Sequence, residues 1–224
     1  MPSAGSGPAF FVSPSGNDSN PGSQIAPWRT IAKAALTPPW SRVYVRSGSY
    51  NESVTINNPG VALEGWPGDT LKPLIWAQNQ EEKPSWVIRF GINADDCLLR
   101  NLEIQGGSYY CIKTESNWNW GGGMLPEQRH GSSRLTVESC KIHGSGRDCF
   151  KFTPGSRDCV VRNCEIFDSG LRDPSNAEGI DAVNCDRLWV VGNHIHDIAT
   201  NGVYVKGGSI GSVIENNVIE RCKN

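Results

Sequence analysis

Cys97-Leu-Leu-Arg-Asn-Leu-Glu-Ile104, Leu135-Thr-Val-Glu-Ser-Cys-Lys-Ile142, Cys159-Val-Val-Arg-Asn-Cys-Glu-Ile166 and Leu188-Trp-Val-Val-Gly-Asn-His-Ile195 are four versions of one eight-residue phrase, and Ser212-Val-Ile-Glu-Asn-Asn-Val-Ile219 is a fifth. Each is rich in strand-forming residues and closes on Ile. A shorter stretch follows each of the first four: Cys111-Ile-Lys-Thr114, Cys149-Phe-Lys-Phe152, Gly179-Ile-Asp-Ala182 and Gly202-Val-Tyr-Val205. In the regular coils the central apolar residue of the short stretch lies 8 residues after the Ile, and the next Ile 16 residues further, so the unit is 24 residues. Insertions lengthen two coils, within residues 115–133 and 171–177.

Residue-for-residue recurrence at that period, with Gly and Asn at corners, does not fit a sandwich of hairpins. It fits a solenoid whose coils stack as parallel strands about 4.7–4.9 Å apart. The expected fold is all-β, a parallel β-helix. Equivalent residues then form columns, and Leu102, Cys140, Cys164, Asn193 and Asn217 are expected to make one inward column. Cys97, Leu135, Cys159 and Leu188 are expected to make another. The eight cysteines show no metal-binding spacing and serve as small hydrophobes in a narrow core. Free thiols are the expectation, with a Cys140–Cys164 bridge as the alternative. Asn193 and Asn217 are expected to satisfy each other's amides as a ladder.

Upstream, Phe10-Phe-Val precedes a turn-rich loop. Residues 27–36, Pro-Trp-Arg-Thr-Ile-Ala-Lys-Ala-Ala-Leu, read as a helix capping the open core. Residues 1–41 are thus assigned to an N-terminal strand and cap, and 42–224 to the coils, all one domain. The last coil lacks its second strand, so a C-terminal truncation is expected. With 21 Lys+Arg against 23 Asp+Glu, a net charge of −2 leaves no electrostatic footprint for nucleic acid. No run approaches the ~18 apolar residues of a membrane span, and no signal peptide is visible at the start. A monomer is expected.

In the short stretches Phe150, Ile180 and Val203 point inward, so Lys113, Lys151, Asp181 and Tyr204 form an outward column. Asp148, Glu178 and Asn201 lie near its start, and Lys206 two residues after it. The two insertions flank this strand and wall a groove suited to a polymer. Asp148, Glu178 and Asp181 come within a few Å of one another, an all-oxygen set that Ca2+ takes. The alternative is structural: Lys151 and Asp181 form a cross-coil charge pair, and the other two acids cap corners. Trp118 and Trp120, in the Gly-rich part of the first insertion, offer flat faces to sugar rings, and Arg129 can meet a carboxylate. His194, His196 and Asp197 lie away from the groove and read as surface residues.

Residues 11–35 and the stretch Val43-Tyr-Val-Arg-Ser-Gly-Ser-Tyr-Asn-Glu-Ser-Val-Thr-Ile56 resemble the N-terminal signature of right-handed parallel β-helix proteins of the pectin-lyase-like superfamily. Within it, Asp148-Cys-Phe-Lys151, Ala177-Glu-Gly-Ile-Asp181 and Asn201-Gly-Val-Tyr-Val-Lys206 are similar to strands of the family-nine polysaccharide lyases. That resemblance implies a secreted or periplasmic lyase that cleaves an acidic, uronic-acid polysaccharide by Ca2+-assisted β-elimination. Asp148, Glu178 and Asp181 match calcium-ligand positions by type. Ala177 stands where the family has a carboxylate and Tyr204 where it has the base lysine, so Lys206 or Lys151 is the candidate base and Tyr204 a proton donor. An inverting hydrolase, a uronan epimerase using Asp173 and a non-catalytic glycan-binding solenoid are the alternatives.

Overall fold

The computed structural model describes residues 3–118 and 124–223. Three parallel sheets run the length of a right-handed solenoid. The first stacks Ala9–Val12, Arg42–Val45, Ala62–Gly65, Leu98–Arg100, Thr136–Glu138, Val160–Arg162, Trp189–Val191 and Val213–Glu215. The second stacks Ser49–Asn51, Leu74–Ala77, Glu103–Gly106, Lys141–His143, Glu165–Phe167, His194–His196 and Val218–Glu220. The third stacks Val54–Ile56, Trp86–Phe90, Tyr110–Thr114, Phe150–Phe152, Ile180–Val183 and Val203–Lys206.

A coil therefore has three strands, not two. The repeated eight-residue phrase is not one strand: it bends between the first and second sheets at Asn101, Ser139, Asn163, Gly192 and Asn216, whose φ values are 54°, 54°, 53°, 66° and 55°. Asn and Gly tolerate this left-handed conformation better than other residues, which is why they recur at the corner. The residue after the bend turns inward. Leu102, Cys140, Cys164 and Asn193 are buried there, as are Cys97, Leu135, Cys159 and Leu188 at the start of the phrase. All eight cysteines are free thiols.

Between the columns the core is filled by in-register apolar rows such as Ile75, Ile104, Ile142, Ile166 and Ile195, all fully buried. Burying each such side chain contributes roughly 1.5–3 kcal/mol. The Asn pair is one polar exception. Asn193 Oδ1 accepts from Cys164 N at 2.9 Å, and its Nδ2 donates to Val161 O at 3.0 Å and Asn217 Oδ1 at 2.9 Å.

The N-terminal helix is shorter than its sequence suggests, only Ile31–Ala34. Residues 27–30 are claimed by the solenoid: Trp28 bridges to Val12, stacks on Phe10 at 4.7 Å and donates its indole N–H to Asn20 O at 2.8 Å. Thr30 caps the helix by accepting from Lys33 N, and Glu52 accepts from Ile31 N and Ala32 N. Ile31 and Ala34 then close over the core.

Asn193→Ala should lower the unfolding free energy by about 1–3 kcal/mol, because Cys164 N and Val161 O lose a buried partner. Urea denaturation of the two proteins checks this, and an unchanged midpoint contradicts the ladder.

Candidate active site

The third sheet and its turns hold the acids and lysines that the sequence singles out. Cys149 N donates to Glu178 O and Gly179 N to Asn201 O, each at 3.0 Å. These bonds stack Asp148, Glu178 and Asn201 as one row. Gly179 is required there, since a Cβ would lie 2.5 Å from Gly202 O. One step along, Lys113, Lys151, Asp181 and Tyr204 are consecutive partners in register, and Lys206 pairs with Val183.

The acids are more enclosed than an open groove floor implies: Asp148, Glu178 and Asp181 are 1%, 4% and 1% exposed. Lysines on either side close over them. Lys151 Nζ binds Asp181 Oδ2 and lies 4.0 Å from Asp148 Oδ2, while Lys206 Nζ lies 3.2 Å from Asp181 Oδ1 and 4.3 Å from the centre of the Tyr204 ring. Asp148 Oδ1 accepts from Glu178 N at 3.1 Å.

Three carboxylates thus face two ammonium groups, leaving one negative charge uncompensated in a buried cluster. Burial, then a proton shared with Glu178, pushes the Asp148 carboxyl up to about 8 against the opposing pull of Lys151. Among the described residues Asp148 Oδ2, Glu178 Oε2 and Asp181 Oδ1 accept no hydrogen bond, although Lys206 faces the last as an ion pair. One ligand oxygen from each acid lies within 4.8 Å of the others. Buried and all-oxygen, with one oxygen of each acid accepting no hydrogen bond, this donor set fits a hard divalent cation such as Ca2+.

The walls come from the insertions. Residues 115–118 and 124–133 lie at the downstream edge of the third sheet, where Ser116 bridges Gly131 and Asn117 N donates to His130 O. Residues 171–177 lie at the upstream edge, where Arg172 Nε donates to Ser108 O and Asn176 O accepts from Arg147 Nε. Trp118 faces a cavity of about 220 Å³ that Tyr110, Lys113, Glu115, Lys151 and Thr153 also line. Arg129 lies over the Trp118 ring at 5.5 Å and donates to Asn184 Oδ1 at 2.9 Å. Trp120 lies outside the described residues.

Three groups escaped the sequence reading. Tyr110 occupies the Asp148 row on the preceding coil, as the Ile112–Phe150 register requires, and burial followed by the Asp148 charge pushes its phenol up to about 12. The 24-residue arithmetic contained that signal. Trp86 and Arg89 sit one coil earlier, in a strand that does not resemble the repeat. Arg89 lies 4.1 Å from the Trp86 ring, and with Lys113 it meets Glu115 at 3.4 and 3.3 Å.

Residues 90–224 match the right handed beta helix region family, and the chain belongs to it. Residues 14–62 match a family described as protein of unknown function (DUF1565). No curated protein matches the chain. Among solved structures, the pectate lyase Pel9A is similar at TM-score 0.70 and 16% identity, over 89% of this chain and 50% of that one. An alginate lyase from Paenibacillus sp. str. FPU-7 gives TM-score 0.70 and 16% identity, over 92% of this chain and 65% of that one. A pectin methylesterase from Aspergillus niger gives 0.61 and 15%, over 100% and 69%. The chain thus spans half the length of the pectate lyase, and these likenesses establish the fold.

The raised Asp148 carboxyl predicts a pH dependence. The native state keeps a proton that the unfolded carboxyl, near 3.9, has already released, so this group's stabilisation is complete below about pH 4 and is lost as pH rises to about 8. Asp148→Asn should flatten the decline in melting temperature between pH 5 and 8. It should also abolish the rise that Ca2+ produces at pH 8 in the parent chain. A Ca2+ response surviving in the variant would remove Asp148 from the ligand set.

Proposed function

We propose that the chain binds an acidic, uronic-acid polysaccharide along the third sheet and cleaves it by β-elimination, with Ca2+ held by Asp148, Glu178 and Asp181. The observation that carries this reading is the buried triad of carboxylates, each with an oxygen free of hydrogen bonds, lying under two lysines. When bound, Ca2+ would neutralise the uronate carboxylate and so acidify the proton beside it.

The chain's own residues supply the rest. Arg89, Lys113 and Lys151 stack on consecutive coils, a row of cations, each paired with Glu115 or Asp181, that could exchange those acids for the carboxylates of a polymer. Trp118 lines the same cavity as Lys113 and Lys151, and sugar rings pack against aromatic side chains. Lys151 is held tightly by Asp181, whereas the Lys206 side chain is 30% exposed. Lys206 is the base that takes the C5 proton once it is drawn off Asp181. The C5–H electrons form the C4–C5 double bond, the C4–O4 bond breaks, and the Tyr204 phenol protonates the departing O4. A secreted or periplasmic setting follows from such a substrate; in the described residues no helix is long and apolar enough to cross a membrane.

One alternative loses ground on geometry. Asp173, the epimerase candidate, caps its own turn by accepting from Ser175 Oγ at 2.7 Å.

Incubation with polygalacturonate, alginate and a neutral glycan tests the proposal. The expected result is chelator-sensitive absorbance from unsaturated uronide on an acidic polymer, with kcat lowered roughly 10²–10⁴-fold in Lys206→Ala. New reducing ends without that absorbance would make the chain a hydrolase, and binding without cleavage a lectin-like solenoid.

A further inference from the structure

A second constellation lies on the second sheet, away from the groove. His194 and His196 alternate around the fully buried Ile195, so both project from the outer face. Glu165 is the in-register partner of His194 on the preceding coil. Ligand atoms of Glu165, His194 and His196 all lie within 4.8 Å of one another.

His196 is not the open surface residue its position in the sequence suggests: it is only 9% exposed. Its ring continues a stack with Phe167 and His143, at centroid distances of 5.0 and 4.6 Å and with planes 4° apart. The stack fixes the plane of the imidazole. Its Nδ1 lies 2.7 Å from Asp197 Oδ2, and Asp197 is itself clamped by Arg221 Nε and Nη2 at 2.7 and 2.9 Å. A carboxylate only accepts, so Nδ1 carries a hydrogen, and Nε2 is the ring nitrogen left to meet a ligand. That Nε2 is buried and has no hydrogen-bond partner among the described residues. It faces Glu165 Oε1 at 3.5 Å. A buried imidazole nitrogen and a carboxylate oxygen thus face each other with no hydrogen bond between them, two donor atoms that a cation can bridge.

We propose that Glu165, His194 and His196 bind Zn2+, with a further coordination position open. Two imidazoles and one carboxylate are a donor set zinc takes in sites that keep an open position. The Asp197 contact to the far nitrogen of His196 is the outer-shell carboxylate that orients such ligands. Borderline nitrogen donors separate this site from the all-oxygen cluster on the third sheet. His194 and Glu165 have side chains 44% and 45% exposed, free to close on the ion, and His194 Nε2 now rests 3.0 Å from Glu220 Oε1. The inference stands whatever the polysaccharide chemistry of the groove.

Calorimetric titration of the chelator-stripped full chain with Zn2+ tests it, with Co2+ as the spectroscopic probe. One equivalent of Zn2+ should bind and persist in excess Ca2+, and Co2+ should give the visible bands of a low-coordinate nitrogen–oxygen site. His194→Gln, a half-buried position whose side chain is 44% exposed and whose loss should leave folding intact, should abolish both signals. Asp197→Asn should weaken binding about 10–100-fold while keeping the stoichiometry. No uptake by the parent chain overturns the site, because His196 is then an imidazolium paired between Asp197 and Glu165. Uptake unchanged in His194→Gln, or displaced by Ca2+, overturns it equally.

Discussion

Main-chain hydrogen bonding between successive coils, parallel and in register, is the constraint from which the rest of this structure follows. Once one coil is laid on the next at about 4.8 Å, every side chain inherits a neighbour above and below of equivalent position. Inward rows must then be apolar or mutually satisfied, as the isoleucine rows and the Asn193–Asn217 pair are. Extra residues can leave only at corners, which is where both insertions emerge. Outward rows have no such filter, and there the same stacking forces charges together.

The two clusters are both consequences of that forced proximity, resolved differently. On the third sheet three acids from adjacent coils share two lysines, and the deficit is met by a proton on Asp148 or by a hard cation. Two unit charges about 4 Å apart interact by ~1 kcal/mol in water and ~4 kcal/mol at an effective dielectric of 20, so an unmatched charge at this depth is not a neutral passenger. On the second sheet the aromatic stack of His143, Phe167 and His196 does the holding, and the buried imidazole nitrogen is what remains unmatched.

Much of this could be read from the repeat. The inward columns, the outward row of Lys113, Lys151, Asp181 and Tyr204, and the flanking insertions all follow from a 24-residue period and strand alternation. What could not be read has physical causes. The corner at Asn101 and its equivalents hid a third strand because a single left-handed residue breaks a strand without breaking its β-rich composition. The coil bearing Trp86 and Arg89 shares register with its neighbours but not their residues, since pairing is made by the backbone. The depth of the acids depends on where the lysine side chains fold back, and the burial of His196 on a ring stack across three coils. The helix fell short because Trp28 gains more by stacking on Phe10 than by entering a helical turn.

The central claim is that consecutive coils deliver Asp148, Glu178 and Asp181 to one cation. A crystal of the chain grown with Ca2+ and re-measured with a lanthanide in its place addresses this directly through anomalous scattering. The account predicts one strong peak bounded by carboxylate oxygens from both coils, with Lys206 drawn off Asp181. A map with the three acids on different faces of the solenoid, or with the peak elsewhere and Lys151 and Lys206 still closed on Asp181, would contradict it.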